Sequence, residues 1–399
     1  MSSTNRLICA EIAFSLAVFA LQKVPRGSGG TTLALICLVM AALPALLMLA
    51  RSARVAPSQT TGRLLTWGIV AFAAAQLVFA IAMLVKPKVL DIGETTMAAG
   101  FALLAGHNPY AMPIDAAGGG IADAERFHGY KYLPMMIVIY APLCLALGIR
   151  GIIVTNVLLQ MLTAALADSI GRIIGGRFVG LAAALLYLSL PFVAHQVFTR
   201  GVTDLAPVLL LLAALRFAEE RPMTAGLMVG LSIAIKLIPG IVMLPCALPA
   251  YGERRRYLLG VLCGLLPIVP FAATALDAFV ANIVLFNMVR PVDDTSWLFG
   301  LSPLVIGAAR LAAAGVVAAI AVRIWRRAPP LDERCLLTAL AILAVFAAGP
   351  GMHHNYYLWF LPLLAILAAA AALGARATAD AVREMSAGKP GPAARFDRL

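Results

Sequence analysis

Apolar residues fall in long runs along this chain, separated by short clusters of arginine, glycine and proline. A helix that crosses a ~30 Å hydrocarbon layer needs about 20 residues, with a floor near 17. Runs near that length occupy Leu7–Val24, Thr31–Ala50, Leu64–Val85, Gly151–Gly171, Phe178–Ala194, Thr203–Phe217, Met223–Ala250, Tyr257–Thr274, Leu301–Val322, Glu333–Gly349 and Tyr356–Gly374. The pattern predicts an all-α polytopic membrane protein with about 11–13 spanning helices. A further run, Leu133–Leu147, is short, carries Pro134 and Pro142 and ends at Gly148. One polar interruption is long: Lys86–Tyr132. We read 1–374 as a single transmembrane domain, with two extra spans in 1–63 and a functional outer loop bearing short helices at 86–132. The polar tail 375–399 reads as a disordered cytoplasmic segment.

Composition removes the soluble classes. Apolar residues make up 62% of the chain and charged residues 13%, against ~45–50% and ~25% in soluble domains. The formal net charge of +12 does not point to nucleic acid. The basic residues sit between apolar runs, which is the positive-inside pattern of a membrane protein. The six cysteines lie in or beside apolar runs with no Cys-x-x-Cys pair, so they read as small packing residues. Leu7–Leu21 is followed by no small-residue cleavage site before Pro25, so it reads as a first span and not a signal peptide.

Charge also orders the topology. The basic excess is inside in two readings: Leu133–Leu147 does not cross and Met223–Ala250 is a pair of short helices turning at Lys236-Leu-Ile-Pro-Gly240, or Leu133–Leu147 crosses and Met223–Ala250 is one helix. A single helix there would hold Lys236 near mid-membrane, at a cost of ~2.5–3.5 kcal/mol. Either reading puts Lys86–Tyr132, Asp277–Gly300 and Pro350–Asn355 together on the outer face of a plasma (inner) membrane.

Several residues carry candidate chemistry, each with a plainer reading beside it. Asp91 and Glu94 share a helical face just beyond a span. They suit a solvated helix start, where acids complement the dipole, or a general base at the membrane surface. Gly106-His107-Asn108-Pro-Tyr110 has a turn signature. An exposed Tyr110 and His107 there could also bind a sugar or lipid head. Arg200 and Asp204 bracket a span and read as an interfacial ion pair or as site residues. Lys236 lies inside an apolar run with no acid within a helical turn, which makes it a candidate anion ligand. His353 and His354, in an outer loop, suit contact with a phosphate or sugar hydroxyl. Adjacent histidines lack the spacing of a zinc site. Asp115, Asp123, Glu125, Asp293 and Asp294 read as solvated loop charges.

These residues resemble a known family. Asp91 in the first outer loop, then Ala-Gly-Phe-Ala-Leu-Leu-Ala-Gly-His-Asn-Pro-Tyr110, then Tyr132-Leu-Pro134, then Ala225-Gly-Leu-Met-Val-Gly230 with Ile-Lys236-Leu-Ile-Pro239, and the late His-rich loop resemble the GT-C membrane glycosyltransferases. Within them the chain is most similar to glycosyltransferase family 87. The resemblance covers roughly Leu64 to Gly374. It departs in having two spans ahead of the one leading to Asp91, and Tyr-Leu-Pro in place of Tyr-Pro-Pro.

The resemblance implies a GT-C-like fold and inverting transfer of a hexosyl unit, a mannosyl unit in the family pattern. The donor would be a polyprenyl-phosphate sugar and the acceptor a hydroxyl on a glycolipid or glycan. Asp91 would be the base, and Lys236, Arg200, His353 and His354 would hold the donor phosphate. Glu94, His107, Asn108, Tyr110, Tyr132 and Asp204 would be candidates for the acceptor and sugar. No cofactor is implied, and no metal is required, although Asp91 with Glu94 could bind a divalent ion. Membrane lipids are the other partners. The competing reading is a polytopic transporter of an anionic or lipid-linked substrate, for which the expected internal repeats are not visible.

Overall fold

The computed structural model describes residues 59–114, 128–294, 296–351 and 353–374. Leu7–Val24, Thr31–Ala50, Asp115, Asp123, Glu125, Cys9, Cys37 and the tail 375–399 lie outside the described residues. Every regular element among those described is helical. The principal helices are α1 (Gln59–Val85), α2 (Asp91–Leu104), α3 (Pro134–Leu147), α4 (Arg150–Gly175), α5 (Arg177–Ser189), α6 (Leu205–Phe217), α7 (Pro222–Ile233), α8 (Leu237–Cys246), α9 (Arg254–Leu265), α10 (Pro303–Arg327), α11 (Leu331–Ala347) and α12 (Leu361–Ala369). Short turns of other pitch link them, including π segments at His195–Thr199 and Ala281–Leu285 and a 3₁₀ segment at His354–Trp359.

Four helical stretches among the described residues are long and apolar enough to cross a membrane: Gly62–Val85, Arg150–Gly175, Tyr251–Thr274 and Pro303–Arg327. On α10 large apolar side chains stand in the open, Leu304 at 83% and Leu311 at 75% exposure. Such a helix is stable where lipid, and not water, covers it. The other apolar helices are shorter. The 14 residues of α3 span only about 21 Å. The predicted run Tyr356–Gly374 is also not one helix. It starts as the 3₁₀ segment and becomes α-helical only at Leu361, with Pro362 in the first turn. Proline is tolerated there, where its missing N–H is not needed.

The described residues gather into two compact units. The first holds residues 59–74, 167–192 and 364–374. Its helices approach closely at small residues: a Cβ on Gly171 would lie 2.8 Å from the Gly180 Cα. The second holds residues 75–166 and 193–363 and all the candidate chemistry described below.

In the second unit α7 and α9 pack backbone to backbone. Gly226 and Gly230 on α7 face Gly260 and Gly264 on α9, two small-xxx-small pairs of the kind that let membrane helices touch. A Cβ on Gly226 would stand 1.9 Å from the Tyr257 carbonyl oxygen, and one on Gly260 2.1 Å from that of Met223. Gly230→Leu should therefore force the pair apart, since even its Cβ would meet the Val261 carbonyl oxygen at 2.3 Å. Overpacking of this kind costs about 1–3 kcal/mol or more. The expected result is a lowered Tm in detergent, with Gly307→Leu as the neutral control because nothing lies within 4 Å of its Cβ position.

The chain reverses between α7 and α8. Ser232 Oγ lies 3.5 Å from Met243 Sδ, and a Cβ on Gly240 would meet the Ile233 Cα at 2.5 Å. Met223–Ala250 is thus a helical hairpin, broken over 234–236 with Lys236 at the N-cap of α8. The helix Tyr251–Thr274 then returns along α7.

Candidate functional site

A cavity of about 680 Å³ opens in the second unit. Its walls come from the residues around the start of α2, the segment 130–133 leading into α3, the turn at Arg200, the α7–α8 break, the segment 283–293 and the loop after α11. Asp91, Tyr132, Arg200, Lys236 and His353, all marked by the sequence, line it together.

Asp91 is the first residue of α2, and its Oδ1 accepts the Ile92 N–H at 2.8 Å. The carboxylate is exposed, so one oxygen can serve the helix start while the other faces the cavity. The Leu90 N–H donates to the Arg200 carbonyl at 2.9 Å, which joins the start of α2 to the Arg200 turn. That turn needs Gly201, whose φ of +57° is strained for other residues and whose missing Cβ leaves room for Val89. Asn156, fully buried on α4, holds the turn from behind. Its Nδ2 donates to the carbonyls of Val197 and Val202 at 3.0 and 2.8 Å, and its Oδ1 accepts from the Tyr140 hydroxyl at 2.9 Å. Among the described residues the Arg200 guanidinium has no side-chain partner of its own.

Lys236 differs from its sequence reading. The ammonium does have a counter-charge: it pairs with Asp204, whose side chain is fully buried. The expected Arg200–Asp204 pair does not form. Asp204 also accepts from Asn355 Nδ2 at 2.6 Å and Trp359 Nε1 at 2.9 Å. A buried carboxylate with three donors, one of them charged, is fully satisfied. It is therefore held as an internal anchor by Lys236, Asn355 and Trp359. Lys236 keeps 12% of its side chain exposed, sits 6.0 Å from the Tyr132 ring centre and 5.7 Å from that of Tyr356, and still lines the cavity. The Tyr132 hydroxyl is pushed well above its ordinary pKa, first by burial and then by the Asp91 carboxylate, so it is a neutral donor at physiological pH.

A second charge cluster was not apparent from the sequence. Asp293, expected to be a solvated charge, accepts from Arg290 at 3.1 Å, and the same guanidinium nitrogen lies 2.9 Å from His353 Nε2. Burial, the largest influence, holds the His353 pKa below its usual value, and Arg290 and Lys236 add to the effect against Asp293. The imidazole is thus neutral at pH 7, and its Nε2 accepts from Arg290. Lys131 is the other addition: its ammonium sits 4.6 Å from the centre of the Phe286 ring on the cavity wall. His354 opens the 3₁₀ segment that places Asn355 and Trp359 on Asp204.

The remaining sequence candidates fall elsewhere. Tyr110 is completely buried among Tyr130, Phe271 and Phe279, so it cannot be an exposed sugar platform. Its hydroxyl donates to the Tyr132 carbonyl at 2.6 Å and fixes that cavity residue. Asn108 is spent on structure, donating to the Phe271 carbonyl and Thr274 Oγ1 and accepting the Tyr110 N–H. His107 and Glu94 are exposed and are not part of the cavity wall. Glu94 lies one turn along α2 from Asp91, beyond the edge of the lining. Among the described residues no three His, Cys, Asp or Glu side chains converge as a metal site.

The helical membrane fold matches the GT-C glycosyltransferase fold. The chain belongs to glycosyltransferase family 87, whose sequence profile matches residues 130–350. Its fold is similar to that of ArnT from Cupriavidus metallidurans. Against the structure bound to undecaprenyl phosphate the TM-score is 0.51 at 20% identity, covering 76% of this chain and 59% of that one. Against the apo structure the TM-score is 0.53 at 18% identity, covering 77% and 59%. The chain thus spans about 59% of the length of the structures it resembles. No curated protein matches it in sequence.

Proposed function

We propose that the protein is a membrane glycosyltransferase that moves a hexosyl unit, a mannosyl unit in keeping with its family resemblance, from a polyprenyl-phosphate sugar to an acceptor hydroxyl on a glycolipid or glycan. Transfer takes place on the outer face of the plasma membrane with inversion at the anomeric carbon. One observation carries the reading: a single cavity is lined by an exposed carboxylate, Asp91, and by the cations Arg200, Lys236 and Arg290. The ArnT structure bound to undecaprenyl phosphate supports the lipid class of the donor.

The roles follow from charge. Asp91 takes the acceptor's hydroxyl proton as its oxygen bonds to the anomeric carbon. The bond from that carbon to the phosphate oxygen breaks, and the polyprenyl phosphate leaves with one more negative charge. Lys236 and Arg290 are each tied to a carboxylate, Asp204 and Asp293. Arg200 is the least compensated of the three and is the natural receiver of the developing charge. His353 and Tyr132, both neutral, donate or accept hydrogen bonds without changing the balance. His354 belongs to the loop that carries His353. No metal is required by these roles.

The test uses purified protein in lipid nanodiscs with synthetic polyprenyl-phosphate mannose and a membrane extract as acceptor source, with mass spectrometry of the products. The expected result is a hexose-mass addition to an extract component and stoichiometric release of polyprenyl phosphate. Loss of hexose from a nucleotide sugar in the absence of the lipid donor would contradict the proposal, as would movement of intact donor lipid across the bilayer without transfer.

A further inference from the structure

At the far end of the second unit's long helices the structure holds a charge arrangement that the transfer reaction does not use. Thr274, at the near end of the helix Tyr251–Thr274, touches Asn108 beside the cavity region. The other end, Tyr251, 23 residues back, is about 35 Å off along the helix. There Arg254 is 8% exposed. Its guanidinium stacks 3.9 Å from the Trp325 ring centre and 4.7 Å from that of Tyr251, and its Nη2 donates to the Trp325 carbonyl. This one side chain ties the first turn of α9 to the last turn of α10.

The tie brings two arginine pairs to one place. Arg255 and Arg256 follow Arg254 in the first turn of α9, and Arg326 and Arg327 end α10. All four are exposed. Among the described residues Arg256 pairs with Glu253 at 3.3 Å, and Arg323, one turn back, is already taken by Glu333. Cations in the first turn of a helix oppose the dipole, which favours anions there. Two exposed arginines at the start of α9 therefore raise the local positive potential in a way that folding alone does not relieve. Trp325 and Tyr251 rim the patch at 53% and 80% exposure. Such rings prefer the depth of lipid headgroups.

We infer that this end of the α9–α10 pair is a docking surface for anionic phospholipid headgroups, with Arg255, Arg256, Arg326 and Arg327 contacting phosphate and Trp325 and Tyr251 lying at headgroup depth. Arginine's fork matches phosphate oxygens better than a point charge does. Each basic residue near an anionic leaflet contributes about fivefold in affinity. The surface is separate from the cavity and does not depend on what the cavity binds.

The test is native mass spectrometry of detergent-purified protein with phosphatidylglycerol or phosphatidylcholine, where membrane orientation plays no part. Wild type should retain phosphatidylglycerol preferentially. Replacing the four arginines together by glutamine, with Arg254 kept, should lower that retention about 600-fold, fivefold for each, at an unchanged Tm. Should that variant fail to fold, the fourfold lysine variant keeps the charge and should still lose part of the binding. Equal retention of the two lipids by wild type would overturn the inference. So would unchanged phosphatidylglycerol binding in either multiple variant, or its loss in Arg200→Gln, which would put the lipid in the cavity.

Discussion

Asp91→Asn should lower transfer by about 10²-fold or more while leaving donor affinity within a few-fold of wild type. The size is that of a lost general base. The asparagine keeps an oxygen for the Ile92 N–H, which Asp91 now accepts at 2.8 Å, so α2 should still begin at the same residue. The Leu90–Arg200 backbone bond does not involve the side chain, and the Arg200 turn should stay in place. A fall in kcat without a rise in donor Kd is therefore the expected signature. Glu94→Gln, three residues along and outside the cavity wall, should be close to silent. Near-wild-type turnover by Asp91→Asn would remove the base from Asp91. Equal losses in both acidic variants would point to the summed negative charge at the start of α2.

The helices were legible wherever one stretch of chain makes a whole element. Leu64–Val85 and Gly151–Gly171 lie within α1 and α4, and Leu301–Val322 overlaps α10 from Pro303 onward, because a span of about 20 apolar residues is a local property. The reversal within Met223–Ala250 was also legible, since a lysine and a Pro-Gly pair interrupt the run. Its position was off by a few residues. The break is at 234–236, and Pro239 falls inside the first turn of α8, where proline is tolerated. The start of the next helix was missed for a different reason. Arg254 precedes the apolar run Tyr257–Thr274 in sequence, and in the fold it is stacked on two rings contributed by different segments. The facing Gly226/Gly230 and Gly260/Gly264 pairs were present as a four-residue spacing, though the partner of each can be known only in three dimensions.

The candidate site was legible as a list of residues and not as a set of pairings. Asp91, Arg200, Lys236, Tyr132 and His353 stand out from apolar surroundings and meet in one cavity. Pairing depends on chain crossings that sequence spacing does not encode. Asp204 finds Lys236 32 residues away and Asn355 151 residues away, so the Arg200–Asp204 pair read from their nearness was the wrong one. Tyr110 failed for the same reason: its turn signature is real, yet three aromatic neighbours from other segments bury it. Arg290 and Asp293 carried a usable signal, being three residues apart beside an apolar segment, but nothing local tied them to His353.

The Lys236–Asp204 pair carries the second large effect, in which stability and chemistry can be separated. Without a counter-charge, loss of the ammonium would be neutral or stabilising; with Asp204 buried beside it, it is not. Removing one partner of a buried pair costs about 3–5 kcal/mol, because the other charge is left uncompensated. Asp204→Asn should fall at or near that range, since it strands an ammonium and weakens the bonds from Asn355 and Trp359 that hold the His353 loop. Lys236→Gln should cost less, as those two donors still satisfy the carboxylate.

The double variant Asp204→Asn/Lys236→Met removes both charges and should regain most of the lost Tm. Donor use should behave differently. If Lys236 also contacts the phosphate, that contact is worth roughly 1.5–3 kcal/mol, or about 10–150-fold in kcat/KM at 1.4 kcal/mol per tenfold. Lys236→Gln and the double variant should both show that loss, and Lys236→Arg should recover part of it, because its fork replaces a point charge. Tm from thermal unfolding and kcat/KM for polyprenyl-phosphate mannose, measured on the same nanodisc samples, decide the matter. A double variant that regains Tm and also transfers at the wild-type rate would make Lys236 purely an internal partner of Asp204. Arg200 and Arg290 would then be left to hold the phosphate.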